Sequence, residues 1–312
     1  MSLIGALKST VRKAEFWRST SSSQSAQSAQ SAQSSRASAS DTFAAGKARP
    51  STTWWAGRPL AEGKNAHKTN TREQFQDAMK DGTYNWFEGD IRKELHGDGV
   101  EMRHDETAEK GDNLTLQEWL AMGKASGRGL KLDVKDSFEL PEIMKETKAS
   151  GIPSERLMFN LGDGELDQYG KQIRKEFPHA IIAINTGGST AKMTDAEVNR
   201  MLGHAKDVGQ PVCFVQRYDR LTPDAIAKLE KTGPVSVWND TAPGGGVSSD
   251  DVATITARLR REGVTGVIDL RPSESTLDLA KDGIDKGEAI AGDFIDRHVG
   301  GAASKVKGFL GL

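Results

Sequence analysis

Between His67 and Lys135 the chain carries two histidines, three carboxylates and two lysines at spacings that suit phosphoryl chemistry. They are His67, then Glu88 and Asp90, then His104, then Lys131, Asp133 and Lys135. In the run Asn85 to Ile91, an extended backbone turns Trp86, Glu88 and Asp90 to one side and Phe87, Gly89 and Ile91 to the other. Leu130 to Lys135 repeats the pattern, with Leu130, Leu132 and Val134 opposite Lys131, Asp133 and Lys135. Three carboxylates from two strands make a hard-oxygen set suited to Mg2+, or alternatively Ca2+, with water and substrate oxygens completing the shell. Two histidines on separate segments can divide the proton work, one accepting and the other donating. Lysines beside such a cation neutralise charge that develops on phosphoryl oxygens. A half-solvated surface strand would alternate in the same way, and Lys131 with Asp133 would also serve as an internal ion pair. His96, His179, His204 and His298 lack comparable companions at strand ends and receive no role.

Composition narrows the classes. Lys and Arg number 42 against 44 Asp and Glu, a net charge of -2, so no global field draws the chain to nucleic acid or to a membrane. A single cysteine, Cys213, rules out an internal disulfide framework and a cysteine-based zinc cluster. It lies in the apolar run Pro211 to Val215, where a thiol packs as a small hydrophobe. No apolar stretch reaches transmembrane length and no secretory signal pattern opens the chain, so it reads as soluble.

Elements that would position these groups follow from hydrophobic period. Strands are expected at 64–67, 84–91, 129–135, 156–161, 180–185, 211–217, 234–239 and 264–270. Amphipathic helices are expected between them at 71–80, 114–125, 138–149, 165–176, 194–208, 222–231 and 248–261. Eight such alternations specify an α/β fold, a single (β/α)8 TIM barrel over 54–272, more simply than an open doubly wound sheet. The Gly-rich piece His96 to Gly99 followed by Val100 to Asp105 predicts a hairpin at the rim that carries His104 to the mouth. In such a barrel, groups at the C-terminal strand ends converge on one face.

The tails read differently. Met1 to Arg18 spaces Leu3, Ile4, Leu7 and Val11 as a basic amphipathic helix, suited to peripheral membrane contact, to a partner or to its own domain. Residues 19–53 are Ser-, Gln- and Ala-rich with tandem Ser-Ala-Gln triplets, the composition of a disordered linker, and resemble the leader of an exported effector. Residues 273–312 suggest a helical extension ending in a short basic and apolar tail.

Several stretches together resemble the menorin family. They are Asn65-Ala66-His67-Lys68-Thr69-Asn70, Phe87-Glu88-Gly89-Asp90-Ile91, Met102-Arg103-His104-Asp105, Asp112-Asn113-Leu114-Thr115-Leu116-Gln117-Glu118-Trp119-Leu120 and Gly129 to Lys135, with weaker matches at Tyr169, Val215 to Arg217 and Ser236 to Asn239. That family falls in the superfamily of glycerophosphodiester phosphodiesterase-like barrels that includes the sphingomyelinase D toxins. The resemblance implies His67 and His104 as the acid/base pair and Glu88, Asp90 and Asp133 as metal ligands. It places Lys135 on the substrate phosphate and Trp238 with Asn239 on the far side of the pocket; Lys131 and Asn70 are expected to meet substrate as well. The chain departs from the family's His-Arg-Gly with His67-Lys68-Thr69, and from the prolines after the second histidine with Asp105-Glu106. Two functions are thereby expected. One is a metal-dependent phosphodiesterase, or a phospholipase D-like lyase, acting on a glycerol- or lipid-linked phosphodiester; the other is a catalytically silent barrel that binds a phosphorylated headgroup or a protein.

Overall fold

The computed structural model describes residues 53–54, 58–106, 113–186, 191–240 and 247–272, all within the compact unit Lys47–Leu312. The helix expected at 1–18, the linker at 19–53 except its last residue, and the extension at 273–312 lie outside the described residues. A two-residue antiparallel ladder, Thr53–Trp54 with Arg58–Pro59, precedes the barrel.

The chain then runs β1 (Asn65–Ala66), α1 (Arg72–Lys80), β2 (Trp86–Lys93), β3 (Val100–Met102), α2 (Leu116–Ser126), β4 (Gly129–Val134), α3 (Leu140–Ser150), β5 (Leu157–Leu161), α4 (Asp163–Glu176), β6 (Ile181–Ile184), α5 (Asp195–Val208), β7 (Val212–Arg217), α6 (Pro223–Leu229), β8 (Val235–Trp238), α7 (Ser249–Arg261) and β9 (Ile268–Asp269). All strands but β3 are parallel and pair in the order β1-β2-β4-β5-β6-β7-β8-β9. An open doubly wound sheet reverses its strand order, and this one never does, so the architecture is a nearly closed (β/α)8 barrel. Among the described residues no backbone ladder joins β1 to β9. Side chains cross that seam instead: Asn65 Nδ2 donates to Asp269 Oδ2 at 3.3 Å, and Arg260 Nη2 donates to the Ala61 carbonyl at 3.0 Å.

Period-two sorting divides the core. Phe87, Ile91, Leu130, Leu132, Phe159, Ile182 and Phe214 face outward and are buried under the helices, each contributing about 1.5–3 kcal/mol by leaving water. Trp86, Met158, Ile181, Ala183, Cys213 and Val215 cluster separately, on the inward side. Cys213 is fully buried, and burial pushes its thiol up to about 12, in keeping with a packing role.

Helix starts carry their own signals. Thr71, Thr115 and Thr194 each cap a helix and form reciprocal boxes with Gln74, Glu118 and Glu197. The box at Thr115 opens the Asn113 to Leu120 stretch, where Leu114, Leu116 and Trp119 are wholly buried. Trp119 Nε1 donates to Thr69 Oγ1 at 3.0 Å, and Thr69 Oγ1 donates to the Glu88 carbonyl at 2.8 Å. That motif therefore ties α2 to the loop after β1 and to the acidic strand. The rim hairpin also forms: β3 pairs antiparallel with the end of β2, with Met102 opposite Ile91.

Candidate metal centre and active site

Register brings the acids together. Parallel pairing of β2 with β4 sets Glu88 beside Lys131 and Asp90 beside Asp133, and pairing of β4 with β5 sets Asp133 beside Asn160. One oxygen from each of Glu88, Asp90 and Asp133 lies within 4.8 Å of the others. Gly89, between the two acids of β2, is required by close approach: a Cβ there would fall 2.2 Å from Met102 Cε and 2.9 Å from the Trp119 ring.

Neighbouring groups hold the carboxylates. Asn70 and Asp90 bond reciprocally, Asn70 Nδ2 donating to Asp90 Oδ2 at 2.9 Å and the Asp90 amide to Asn70 Oδ1 at 2.9 Å. Asn160 Nδ2 donates to Asp133 Oδ1 at 2.7 Å. Lys68 has a left-handed φ of 54°, uncommon for a non-glycine residue, and in that conformation its amide donates to Glu88 Oε2 at 2.7 Å. Lys135 Nζ bridges Asp90 Oδ1 at 3.0 Å and Asp133 Oδ2 at 2.9 Å. Lys131 Nζ stands 3.8 Å from Glu88 Oε1, so its nearest acid is Glu88 and not the Asp133 of the internal-pair alternative.

Charge balance in this cluster is uneven. Burial pushes Glu88 above the ordinary carboxylate range, with Asp90 and Asp133 adding to the rise and His67 and Lys131 opposing it. Burial also raises Asp133, but Lys135, Lys131 and the hydrogen bonds from Lys135 and Asn160 outweigh it and hold the group low. Both lysines are held above their usual range: burial alone would lower them, and the surrounding carboxylates prevail. Three acids thus face two ammonium groups. Glu88 Oε1 is buried without a hydrogen-bond partner among the described residues, which is costly unless a cation meets it. Opposed oxygens lie about 4.2 Å apart across Mg2+ and about 4.6–5.2 Å apart across Ca2+. The oxygen spread and the all-carboxylate donor set fit such an ion.

A cavity of about 480 Å3 opens over this cluster, lined among others by His67, His104, Lys131, Asp133, Lys135 and Trp238. Glu88 and Asp90 lie beneath its wall, fully buried. His67 Nδ1 stands 3.3 Å from Asp269 Oδ2 and 3.5 Å from Glu88 Oε2. His104 Nδ1 stands 2.7 Å from Asp105 Oδ1, while Arg92 Nε donates to the His104 carbonyl at 2.9 Å and Arg92 Nη1 to Asp136 at 2.9 Å. The two imidazoles, the acids and the lysines of the sequence reading therefore share one barrel mouth.

Two residues expected to meet substrate are placed elsewhere. Asn70 is fully buried with both amide atoms bound to Asp90, and it does not line the cavity. Asn239 is buried too; its Nδ2 donates to the Asp240 and Arg271 carbonyls and its Oδ1 accepts the Arg271 amide, which fastens the end of β8 to the end of β9. Sequence reasoning missed Asp269, Asn160 and Asn65, which line the cavity and hold its charged groups. The alternations Val267 with Asp269 and Met158 with Asn160, polar at the strand's C-terminal end, were the available signal. Burial raises Asp269, yet the His67 hydrogen bond and charge, with Arg271 and Lys131, hold it below the usual range. Among the described residues no helix is long and apolar enough to cross a membrane.

No family model and no curated protein matches the chain. Among solved structures it is similar to a glycerophosphoryl diester phosphodiesterase from Parabacteroides distasonis, with 17% identity over 74% of this chain and 87% of that one and a TM-score of 0.46. It is also similar to a β-mannanase from Thermomonospora fusca in a mannotriose complex, with 12% identity over 72% and 83% and a TM-score of 0.49. A third is phospho-2-dehydro-3-deoxyheptonate aldolase from Thermotoga maritima, with 14% identity over 75% and 70% and a TM-score of 0.43. These likenesses are too distant to bear on function, and the barrel assignment rests on this chain's own strand order.

Proposed function

We propose that the barrel mouth is a divalent-cation-dependent phosphodiester-cleaving site acting on a glycerol- or lipid-linked phosphodiester. The observation that carries this reading is convergence: Glu88, Asp90 and Asp133 present oxygens within 4.8 Å of one another beneath a cavity lined by both His67 and His104. Glu88, Asp90 and Asp133 would hold Mg2+, or Ca2+. The ion when bound supplies charge neutralisation at the phosphoryl oxygens. Lys135 and Lys131 keep their protons and add fixed positive charge to the cavity wall, and Asn70 and Asn160 hold the acids in place. His67 and His104 exchange protons with the attacking hydroxyl and the departing oxygen, one at each. The attacking hydroxyl belongs to water or to the substrate itself, giving hydrolysis in the first case and a cyclic phosphate in the second. Trp238 offers the cavity an aromatic wall.

The test is release of choline, ethanolamine or glycerol from a panel of glycerophosphodiesters and lysophospholipids, with Mg2+ and with chelator. Turnover that needs the cation and falls by about 10^2-fold or more in His67→Ala and in His104→Ala supports the reading. Turnover equal in wild type and both variants removes it. No turnover from wild type, with the phosphorylated headgroups still bound, favours the silent binding barrel.

A further inference from the structure

The interrupted seam of the barrel and its first histidine share one residue. β1 and β9 stand at opposite ends of the strand ladder, and Asp269, the last residue of β9, reaches across. Its Oδ2 accepts from Asn65 Nδ2 at 3.3 Å and lies 3.3 Å from His67 Nδ1, while its Oδ1 stands 3.7 Å from Arg271 Nε. The carboxylate is largely buried, with 15% of its side chain exposed. Among the described residues the other acid in reach of His67 Nδ1 is Glu88, whose Oε2 stands farther off at 3.5 Å and already accepts the Lys68 amide at 2.7 Å. Every polar contact of the His67 ring among the described residues is made by Nδ1. Nε2 is the nitrogen left for a molecule in the cavity.

We propose that Asp269 is the positioning residue for His67: by accepting Nδ1–H it fixes the tautomer in which Nε2 faces substrate with its lone pair. A neutral imidazole has one donor and one acceptor nitrogen, so the bond made at Nδ1 dictates what Nε2 can do. The consequence for turnover rests on the phosphodiester reading, whereas the tautomer does not. The same bond braces the seam, so the first histidine is held by the last strand of the barrel.

Asp269→Ala removes the acceptor and tests this directly, with Asp269→Asn as the variant closest in shape. In Asp269→Asn the charge is lost, but the carboxamide oxygen can take the place of Oδ2 and still accept from both Asn65 and His67, its N–H then turned toward Arg271. Long-range proton–nitrogen NMR of the histidine rings, at a pH where His67 is neutral, reads the tautomer directly. Wild type is expected to be protonated at Nδ1, and Asp269→Ala, which removes the acceptor, to shift the proton toward Nε2. With a cleaved diester, kcat should fall on the order of 10–100-fold with KM within about twofold, and formate should restore part of the activity of Asp269→Ala. A wild-type His67 protonated at Nε2 overturns the proposal. So does an Asp269→Ala variant that only melts earlier, with tautomer and kcat unchanged. If the tautomer follows Asp269 but wild type cleaves no diester in Mg2+, the phosphodiester reading fails and the positioning of His67 stands.

Discussion

Lys135→Met isolates the electrostatics of the acidic cluster. The side chain keeps its length and apolar stem and loses the ammonium that bridges Asp90 at 3.0 Å and Asp133 at 2.9 Å. Two carboxylate oxygens no more than 4.8 Å apart repel by at least about 3 kcal/mol at an effective dielectric constant of about 20. Lys135 is 25% exposed, so solvent trims this to about 2–3 kcal/mol, near the low end for breaking a buried pair. For a barrel of this size the loss corresponds to a melting temperature lower by roughly 4–12 °C. The assay is thermal unfolding by circular dichroism in chelator and in millimolar Mg2+, at neutral and at acid pH. The full loss is expected in chelator at neutral pH, with partial recovery in Mg2+, which supplies the missing positive charge. The pH dependence has a definite sign. Asp133 is held low in the folded protein, so its contribution is present above the unfolded carboxylate range and is lost as pH falls through the folded value. The gap between wild type and Lys135→Met should therefore narrow below about pH 4. An equal loss under all conditions would show that Lys135 acts by packing and refute the charge argument.

Other outcomes follow from the same contacts. Burial raises Glu88, so its ionised form opposes folding, a cost absent below the unfolded carboxylate range and growing as pH rises. Glu88→Gln should then melt no lower than wild type in chelator at neutral pH while losing most of the Mg2+-induced rise; a variant less stable in chelator would contradict this. Gly89→Ala should cost about 1–3 kcal/mol through contact with Met102 and Trp119, read as a lower denaturant midpoint with unchanged slope; an unchanged midpoint would mean α2 yields freely.

The barrel strands were legible because each combines a buried apolar face with punctuation at both ends. Phe87, Ile91, Leu130 and Leu132 point to the helices while Glu88, Asp90, Lys131 and Asp133 point inward, and period two alone conveys that. Period two says nothing past strand ends, where the family resemblance puts Asn70 and Asn239 at the pocket. β1 stops at Ala66 and Lys68 turns into left-handed backbone, so nothing in residue order revealed that Asn70 would sit behind Asp90 and not beside it. Asn239 is similar: one residue beyond β8, its amide bonds to backbone of the neighbouring strand end. Asp269 was hard to see for a different reason. Its strand is two residues long, and its value lies in contacts with residues some two hundred positions earlier, Asn65 and His67. Asn113 to Leu120 is one of the stretches that carry the family resemblance, and what it does here is mechanical: a capping box and a buried tryptophan fix the loop after β1.

In the proposed site Glu88, Asp90 and Asp133 hold one divalent cation beneath the two histidines. Calorimetric titration of Mg2+, checked with Mn2+ by electron paramagnetic resonance, measures this directly. One ion per chain is expected for wild type and for His67→Ala and His104→Ala, with binding lost in Glu88→Gln and Asp133→Asn. Binding that survives both carboxylate substitutions, or that is absent from the wild-type protein, would contradict it.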